Sequence, residues 1–218
     1  MMTDSEAEKR ERAAFVLGLR HRGVQSVMVL RAMELVPRAL FVDPALRPLA
    51  YLDVALPIAC GQTMSQPTVV ATMTEALSVN AAHRVLEVGT GSGYHAAVLS
   101  QLASEVVTLD RYCGLVVEAQ VRFGVLSLHN VSAFHADGRS GLAVRAPYDR
   151  ILVTASVRAV PEGLVAQLRP EGVLVAPIGD ADGIQTLMRF VKTPSGLSGT
   201  ALMPVRFAPL TPGLAGIL

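Results

Sequence analysis

The residues from Arg84 to Tyr94, Arg-Val-Leu-Glu-Val-Gly-Thr-Gly-Ser-Gly-Tyr, run from a short apolar stretch through a carboxylate into three alternate glycines. Gly89, Gly91 and Gly93 remove side chains where a backbone must turn sharply and lie against a ligand, which glycine does without steric cost. His95 to Leu102 reads as a helix whose first amides face that ligand. A pyrophosphate-binding turn needs Gly-x-Gly-x-x-Gly, but position 94 is Tyr, so the register fits an adenosyl ligand without pyrophosphate better than NAD. Glu87, two residues ahead of the first glycine, adds an acid suited to a cation such as the amino group of S-adenosylmethionine. A glycine-rich strand-to-helix turn that binds nothing is the competing reading.

Two further acids weaken that alternative. Glu105-Val-Val-Thr-Leu-Asp110 is a second β-branched run closing on a carboxylate, 17 positions beyond Gly93. At that distance in a βαβ unit an acid ends strand two and accepts hydrogen bonds from ribose hydroxyls. A third run, Val131 to Ala136, ends on Asp137-Gly138, and a fourth, Tyr148 to Thr154, follows Ala146-Pro147. A single loop Asp is usually a turn or cap residue. Acids that close successive apolar runs instead place a ligand at the carboxyl ends of a parallel sheet.

The elements that must position these groups follow from pattern. Thr3-Asp-Ser-Glu6 resembles a capping box, and Glu6/Arg10 and Glu8/Arg12 are i,i+4 pairs, predicting a helix to about His21. Val24, Val27, Met28, Ala32 and Leu35 continue at helical spacing until Pro37 stops them. Phe41 to Ser65 loses period and carries Pro44, Pro48, Pro57 and Gly61, the composition of a long ordered loop with a functional role. Residues 67–79 read as a helix with Pro67 in its first turn. Strand and helix then alternate over 84–179, with a helix over 161–168 and a strand over 172–179. Thr186–Lys192 and Gly199–Phe207, joined by a longer loop through Thr193-Pro-Ser-Gly, read as a β-hairpin. The expected fold is α/β: a doubly wound, mostly parallel sheet with helices on both faces, an antiparallel C-terminal hairpin and an N-terminal helical extension. Residues 1–80 supply the helices and loop, residues 81–218 the ligand-binding core, together one structural domain.

Composition limits the function classes. With 51% hydrophobic residues in 218, the chain can cover both faces of a sheet. A net charge of +1, from 19 basic and 18 acidic residues, offers no electrostatic case for nucleic acid or an anionic membrane. No apolar run approaches the roughly 20 residues that span a bilayer. Residues 4–12 mix acids and bases where a signal peptide needs an apolar core. Cys60 and Cys113 are too few for a disulfide framework or a Cys-rich zinc site, and the five histidines lack ligand spacing, so no metal is expected. A cytoplasmic enzyme with reduced thiols is the expectation, as a monomer.

Six segments then carry a family resemblance. Tyr51-Leu-Asp-Val-Ala-Leu-Pro57, Gly61-Gln-Thr-Met-Ser-Gln-Pro67, Met73-Thr-Glu-Ala-Leu77, Val85 to Tyr94, Ala146-Pro-Tyr-Asp-Arg-Ile151 and Val205-Arg-Phe-Ala-Pro-Leu210 resemble protein-L-isoaspartate O-methyltransferases in order and spacing, from about Arg31 to Thr211. The glycine motif is widespread among methyltransferases, whereas the Gly61 to Pro67 segment is specific to this family. The resemblance implies transfer of a methyl group from S-adenosyl-L-methionine to the free carboxylate of an isoaspartyl residue in damaged proteins or peptides. The ester then closes to a succinimide, whose hydrolysis restores some normal aspartate.

It also implies roles for individual residues. Ser65 matches the loop serine beside the transferring methyl and orients the substrate carboxylate, although Ser65 or Gln66 capping the following helix is the plainer role. Gln62 and Thr63 close over the cofactor; Gly89, Thr90, Gly91 and Gly93 contact it alongside Glu87. Asp110, where the family often has Glu, holds the ribose hydroxyls, and Asp137 accepts from the adenine amino group while Gly138 permits close approach. Arg206 faces the substrate, with a solvated edge-strand charge as the alternative. Thr211 would contact the cofactor unless the C-terminus frays. Ala59-Cys60, His95 and Cys113-Gly114 depart from the family pattern; Cys60 reads as a packed residue and His95 as a polar helix residue, not a base. Two rivals stay open: a family-derived methyltransferase for another carboxylate, and a non-catalytic S-adenosylmethionine-binding regulator.

Overall fold

The computed structural model describes residues 6–215, with side chains from Arg10 onward, so the expected capping box and the Glu6 and Glu8 ion pairs lie outside the described residues. The N-terminal helices form as α1 (Glu6–His21) and α2 (Val27–Leu35). Ser26 caps α2, its hydroxyl accepting from the Val29 amide at 3.3 Å. That cap starts the helix after Val24 and turns its buried arc. Val29, Leu30, Ala32 and Met33 face the core, while Val27, Met28 and Leu35, expected on that face, are exposed. Glu75 fixes the entry to α2 by accepting from the amides of Gln25, at 2.7 Å, and Ser26.

The aperiodic stretch before the helix at Pro67 is not open loop. It folds into 3-10 turns over Arg38–Phe41 and Pro44–Leu49, then a small antiparallel ladder of β1 (Leu56–Pro57) and β2 (Thr63–Met64). The Gln62 amide donates to the Ala59 carbonyl at 3.2 Å across a turn whose central residues, Cys60 and Gly61, both have positive φ, 58° and 63°. Two left-handed residues in succession match the twist of a tight hairpin. Glycine reaches that region freely, whereas a side chain there crowds its own carbonyl.

The next helix, α3 (Pro67–Leu77), has Gln66 at its N-cap without a side-chain bond. The free amide of Thr68 is satisfied from a distance instead, by Asp53 Oδ1 at 2.8 Å. Asp53 also pairs with Arg22 at 3.2 Å, which ties the loop to both α1 and α3.

The core follows as β3 (Arg84–Val88), α4 (Tyr94–Ser100), β4 (Glu105–Asp110), α5 (Cys113–Val125), β5 (Val131–His135), β6 (Tyr148–Val153), α6 (Glu162–Gln167), β7 (Leu168–Ile178), β8 (Gln185–Thr193) and β9 (Gly196–Val205). The sheet order is β5-β4-β3-β6-β7-β8-β9, parallel through β7, with β8 and β9 antiparallel. Thr193 pairs with Gly196, so only Pro194 and Ser195 join the hairpin, a tighter link than expected. Residues alternate between faces. Val85, Val106 and Leu152 join one apolar cluster with α1 to α5, while Leu86, Val88, Val107 and Leu109 join another with Leu164 of α6 and the residues that precede β6. Each fully buried Val or Leu contributes roughly 1.5–3 kcal/mol relative to exposure. Among the described residues no helix is long and apolar enough to cross a membrane.

The chain leaves β3 toward β4 and returns from β5 to β6 on the other side of β3. The carboxyl ends of β3 and β6 thus bound a topological switch point, where an open α/β sheet leaves a crevice. The β1–β2 hairpin hangs beside it, so the hairpin's turn sets the shape of the crevice edge. Cys60→Gly should relieve the left-handed strain and raise stability by about 1 kcal/mol; urea unfolding with a midpoint unchanged or lowered would contradict this.

Candidate functional site

A cavity of about 600 Å³ opens at this switch point, walled by Gln62 to Gln66 of the loop, Gly89 to Ser92, Asp110, Thr154 and the chain from Met203 to Thr211. Its floor depends on a close contact. Gly89 has φ +101°, and a Cβ there would lie 2.1 Å from Thr154 Oγ1. The Thr154 hydroxyl is within reach of the carbonyls of Val88, at 2.9 Å, and Gly89, at 2.8 Å, and its amide donates to Val88 at 2.9 Å. Gly93 serves packing instead: with φ +89°, its Cβ would approach Ala119 and Phe123 of α5 to 3.0 Å.

Asp110 ends β4 and faces the cavity almost fully buried. Its Oδ2 accepts from the Gly91 amide at 2.9 Å and its Oδ1 from Tyr112 at 3.0 Å. Burial raises its carboxyl above the ordinary range, and the amides of Gly91, Tyr112 and Arg111 pull it back toward ionisation. A carboxylate has about four lone-pair sites, so capacity remains for a diol.

Glu87 is placed differently from expectation. It does not reach the cavity wall; it is fully buried in β3, opposite Thr108 of β4. The Thr108 hydroxyl donates to Glu87 Oε2 at 2.5 Å, which leaves the Thr90 hydroxyl to donate to Thr108 Oγ1 at 2.8 Å. Burial pushes the Glu87 carboxyl up to about 8, and its Oε1 has no partner among the described residues. The acid thus supports the turn from beneath, through Thr90, which does line the cavity.

Asp137 also departs from its expected place. Gly138 lines the cavity, held against Val88, whose Cγ1 would lie 2.3 Å from an added Cβ, whereas Asp137 does not line it. Its carboxylate accepts from Arg139 at 2.9 Å and from Gly213 at 2.7 Å. Arg111 Nε donates to the Gly213 carbonyl at 3.2 Å, and Ala215 donates to the Arg111 carbonyl at 2.9 Å. The tail through Ala215 is therefore tied down, not frayed, and Thr211 reaches the cavity wall.

Gln62, Thr63, Ser65 and Arg206 all line the cavity. Gln62 Nε2 donates to the Cys60 carbonyl at 3.1 Å. The Ser65 hydroxyl has no hydrogen-bond partner among the described residues and does not cap α3. Arg206, just past β9, is exposed and makes no ion pair among the described residues. Two residues were not legible in the sequence. Arg38, wholly buried, donates from Nε to the Ala50 carbonyl and from Nη2 to that of Ser65, each at 2.8 Å, and stacks 4.7 Å from the Tyr94 ring centroid. Thr154 is the other; it closes the β6 run, and that position was the available signal.

Burial governs two of the departures, His95 and Cys60. The Thr74 hydroxyl donates to the Val70 carbonyl at 2.7 Å, so His95 Nε2, 2.9 Å away, carries the proton between them. Burial holds His95 down at about 3, leaving it neutral. Burial, then the charges of Asp110 and Glu118, raises the Cys60 thiol, which stays protonated. The arrangement offers a buried carboxylate that accepts two amides, a glycine floor, a hydroxyl without a described partner and an exposed arginine, and no nucleophile hydrogen-bonded to a base among the described residues that line it.

Comparison with known proteins agrees with this geometry. A family model described as protein-L-isoaspartate(D-aspartate) O-methyltransferase matches residues 10–215. The chain is 64% identical over 217 residues to a protein-L-isoaspartate O-methyltransferase of Azorhizobium caulinodans, covering 100% of both chains. It is 65% identical over 215 residues to one of Xanthobacter autotrophicus, covering 99% of this chain and 98% of the other. A solved protein-L-isoaspartate O-methyltransferase superposes with TM-score 0.82 at 30% identity, over 91% of this chain and 65% of that one. A proposed enzyme of that name from Plasmodium falciparum, solved with S-adenosyl-L-homocysteine, shares the fold with TM-score 0.80 at 24% identity, over 91% and 97% of the two chains.

The Glu87 proton has a measurable consequence. Its folded value, about 8, lies above the ordinary 4.5, so between these values the folded chain holds a proton that the unfolded chain has lost. Stability should therefore fall as pH rises from about 4.5 to 8, by on the order of a few kcal/mol. Glu87→Gln should remove that component, so urea unfolding at pH 5, 7 and 9 is expected to show a shallower decline in the variant. Identical slopes in the two proteins would rule the buried proton out.

Proposed function

Since the chain belongs to the protein-L-isoaspartate(D-aspartate) O-methyltransferase family, we propose that it methylates the free carboxylate of L-isoaspartyl residues in damaged proteins and peptides, as a repair enzyme. One observation carries this reading: the Gln62 to Ser65 loop and the Gly89 to Asp110 floor meet in one cavity, although the sequence separates them. The residues fit S-adenosyl-L-methionine, with glycines where any Cβ would obstruct the floor and a buried carboxylate for its ribose. When bound, it supplies a methyl group on a sulfonium and is left as S-adenosyl-L-homocysteine.

The chain's own work is then orientation. An isoaspartyl carboxylate, with an ordinary pKa near 4, is already ionised at neutral pH, so no base need remove a proton before the new oxygen–carbon bond forms and the carbon–sulfur bond breaks. Asp110 receives the ribose hydroxyls on its remaining lone pairs. Gln62 and Thr63 close over the cofactor, while Gly89, Thr90, Gly91 and Gly138 let it lie against the backbone. Gly93 keeps the turn packed on α5, Glu87 braces Thr90, and Asp137 acts at the adenine end through the tail it holds. The Ser65 hydroxyl, free of other duties, orients the acceptor carboxylate, and Arg206 attracts it at the mouth. Alignment of this kind supplies up to roughly 7–11 kcal/mol of the barrier.

The same reading treats residues 1–80 and 81–218 as one structural domain, supported by the apolar cluster that α1 to α3 share with the sheet. It places the protein in the cytoplasm, without nucleic-acid or membrane partners, supported by two free thiols and a net charge of +1.

Labelled S-adenosyl-L-methionine should methylate an isoaspartyl peptide and not its aspartyl isomer, with Ser65→Ala lowering kcat. Transfer to some other carboxylate alone would mean a redirected enzyme, and cofactor binding without any turnover a regulator. Asp110→Asn should weaken cofactor binding about 10- to 100-fold, the worth of a charged hydrogen bond, because an amide cannot accept from both Gly91 and Tyr112 and a diol as well. Calorimetry should show that loss with kcat at saturation little changed; a large fall in kcat at unchanged affinity would count against the ribose role.

A further inference from the structure

We propose that Arg38 is a positioning residue for methyl transfer, acting through Ser65. The inference rests on the reading of Ser65 as the residue that orients the acceptor carboxylate. Arg38 is 0% exposed and has no carboxylate within ion-pair distance among the described residues. Taking a guanidinium out of water without a salt-bridge partner is costly, and this chain keeps one beneath its most distinctive loop, with the Tyr94 side chain and the charge of Asp53 favouring its ionised form. Its donors show what it does there. Nε reaches the Ala50 carbonyl and Nη2 the Ser65 carbonyl, both at 2.8 Å.

Those carbonyls flank residues 51–64, which include Asp53 and the β1–β2 hairpin. One rigid planar fork thus pins both ends of the loop at a fixed separation. Its plane is held in turn by the Tyr94 ring, 4.7 Å from Cζ, and that ring meets Phe41 edge-on at 5.5 Å between centroids. Tyr94 directly follows the glycine turn, so Arg38 references the position of Ser65 to the same backbone that floors the cavity. Fixing the Ser65 carbonyl fixes its Cα and with it the reach of a hydroxyl that no other described residue holds. A lysine keeps the charge but is a single point donor and cannot span two carbonyls in one plane. The amides that Asp110 holds, those of Gly91 and Tyr112, make no hydrogen bond to Arg38.

A double-mutant cycle on the full chain tests this with isoaspartyl peptide as acceptor. Arg38→Lys and Arg38→Met should each lower kcat roughly ten- to a hundredfold, the effect of an ångström-scale misplacement, with cofactor affinity near that of the unaltered protein. Adding Arg38→Lys to Ser65→Ala should lower kcat no further than Ser65→Ala alone. Millimolar guanidinium should restore turnover to Arg38→Ala and not to Arg38→Ala/Ser65→Ala, a rescue that melting temperatures recorded alongside would separate from simple stabilisation. Losses that multiply across the cycle, an unimpaired Arg38→Lys, or a defect confined to cofactor affinity or melting temperature would each overturn the proposal. Full turnover in Ser65→Ala with Arg38→Lys still impaired would instead remove Ser65 from the chemistry, and with it this route of action.

Discussion

The hydrogen bonds that the Asp110 carboxylate accepts from Gly91 and Tyr112 hold the glycine turn to the end of β4, and the cavity exists because they do. A parallel sheet ends in carbonyls and loops that water would ordinarily satisfy. Here one buried carboxylate gathers amides from two different connections and closes the space between β3 and β4. The turn that results is too tight for side chains: Thr154 fills the volume a Cβ at Gly89 would need. The hydroxyl chain from Thr90 through Thr108 to Glu87 supports the same turn from inside the sheet. Acceptor, floor and support are thus one network, and a change at any member is felt at the others.

The loop that completes the cavity is held by a different logic. Its 3-10 turns and two-residue strands are too short to stand alone, and they are anchored by Phe41, Val42, Ala50, Leu56 and Met64 in the main apolar cluster. Long-range polar contacts add to that packing: Asp53 to the α3 amide and to Arg22, and Arg38 to two carbonyls. The cavity is thus bounded on one side by the sheet and on the other by a loop that core packing and these contacts hold in place.

The strands were legible because their apolar, β-branched runs end on turn residues; β4 and β6 fall within a residue of expectation, and Asp110 ends β4 at the cavity. Local pattern failed where position depends on distant partners. The α2 face turned because Ser26 set the start of the helix. Glu87 was expected beside the ligand from its proximity to the glycines; the structure shows it fully buried on the sheet face of Val85, where its ladder partner Thr108 donates to it. Asp137 closes its apolar run as expected, yet its oxygens meet a tail whose arrival no local spacing encodes. Arg38 was invisible for the same reason, since its partners lie 12 and 27 residues downstream.

The protonation states around the cavity fit the chemistry more closely than any single residue does. An enzyme that must move protons keeps a group poised near neutrality within reach of substrate. Here burial drives His95 down to about 3 and Tyr94 up to about 12, and it raises the Cys60 thiol, so none of these lining or neighbouring groups exchanges protons near pH 7. Glu87, the one carboxyl carried up to about 8, is sealed inside the sheet away from the cavity wall. Arg38 fixes the loop carbonyls, Arg206 lines the cavity as an exposed side chain, and Asp110 accepts two backbone amides. Such a site can hold and align its ligands, with no base among His95, Tyr94 or Cys60 poised near neutrality. A transfer between a carboxylate and a sulfonium needs just this, because both reactants arrive already charged and the step that joins them leaves neutral products.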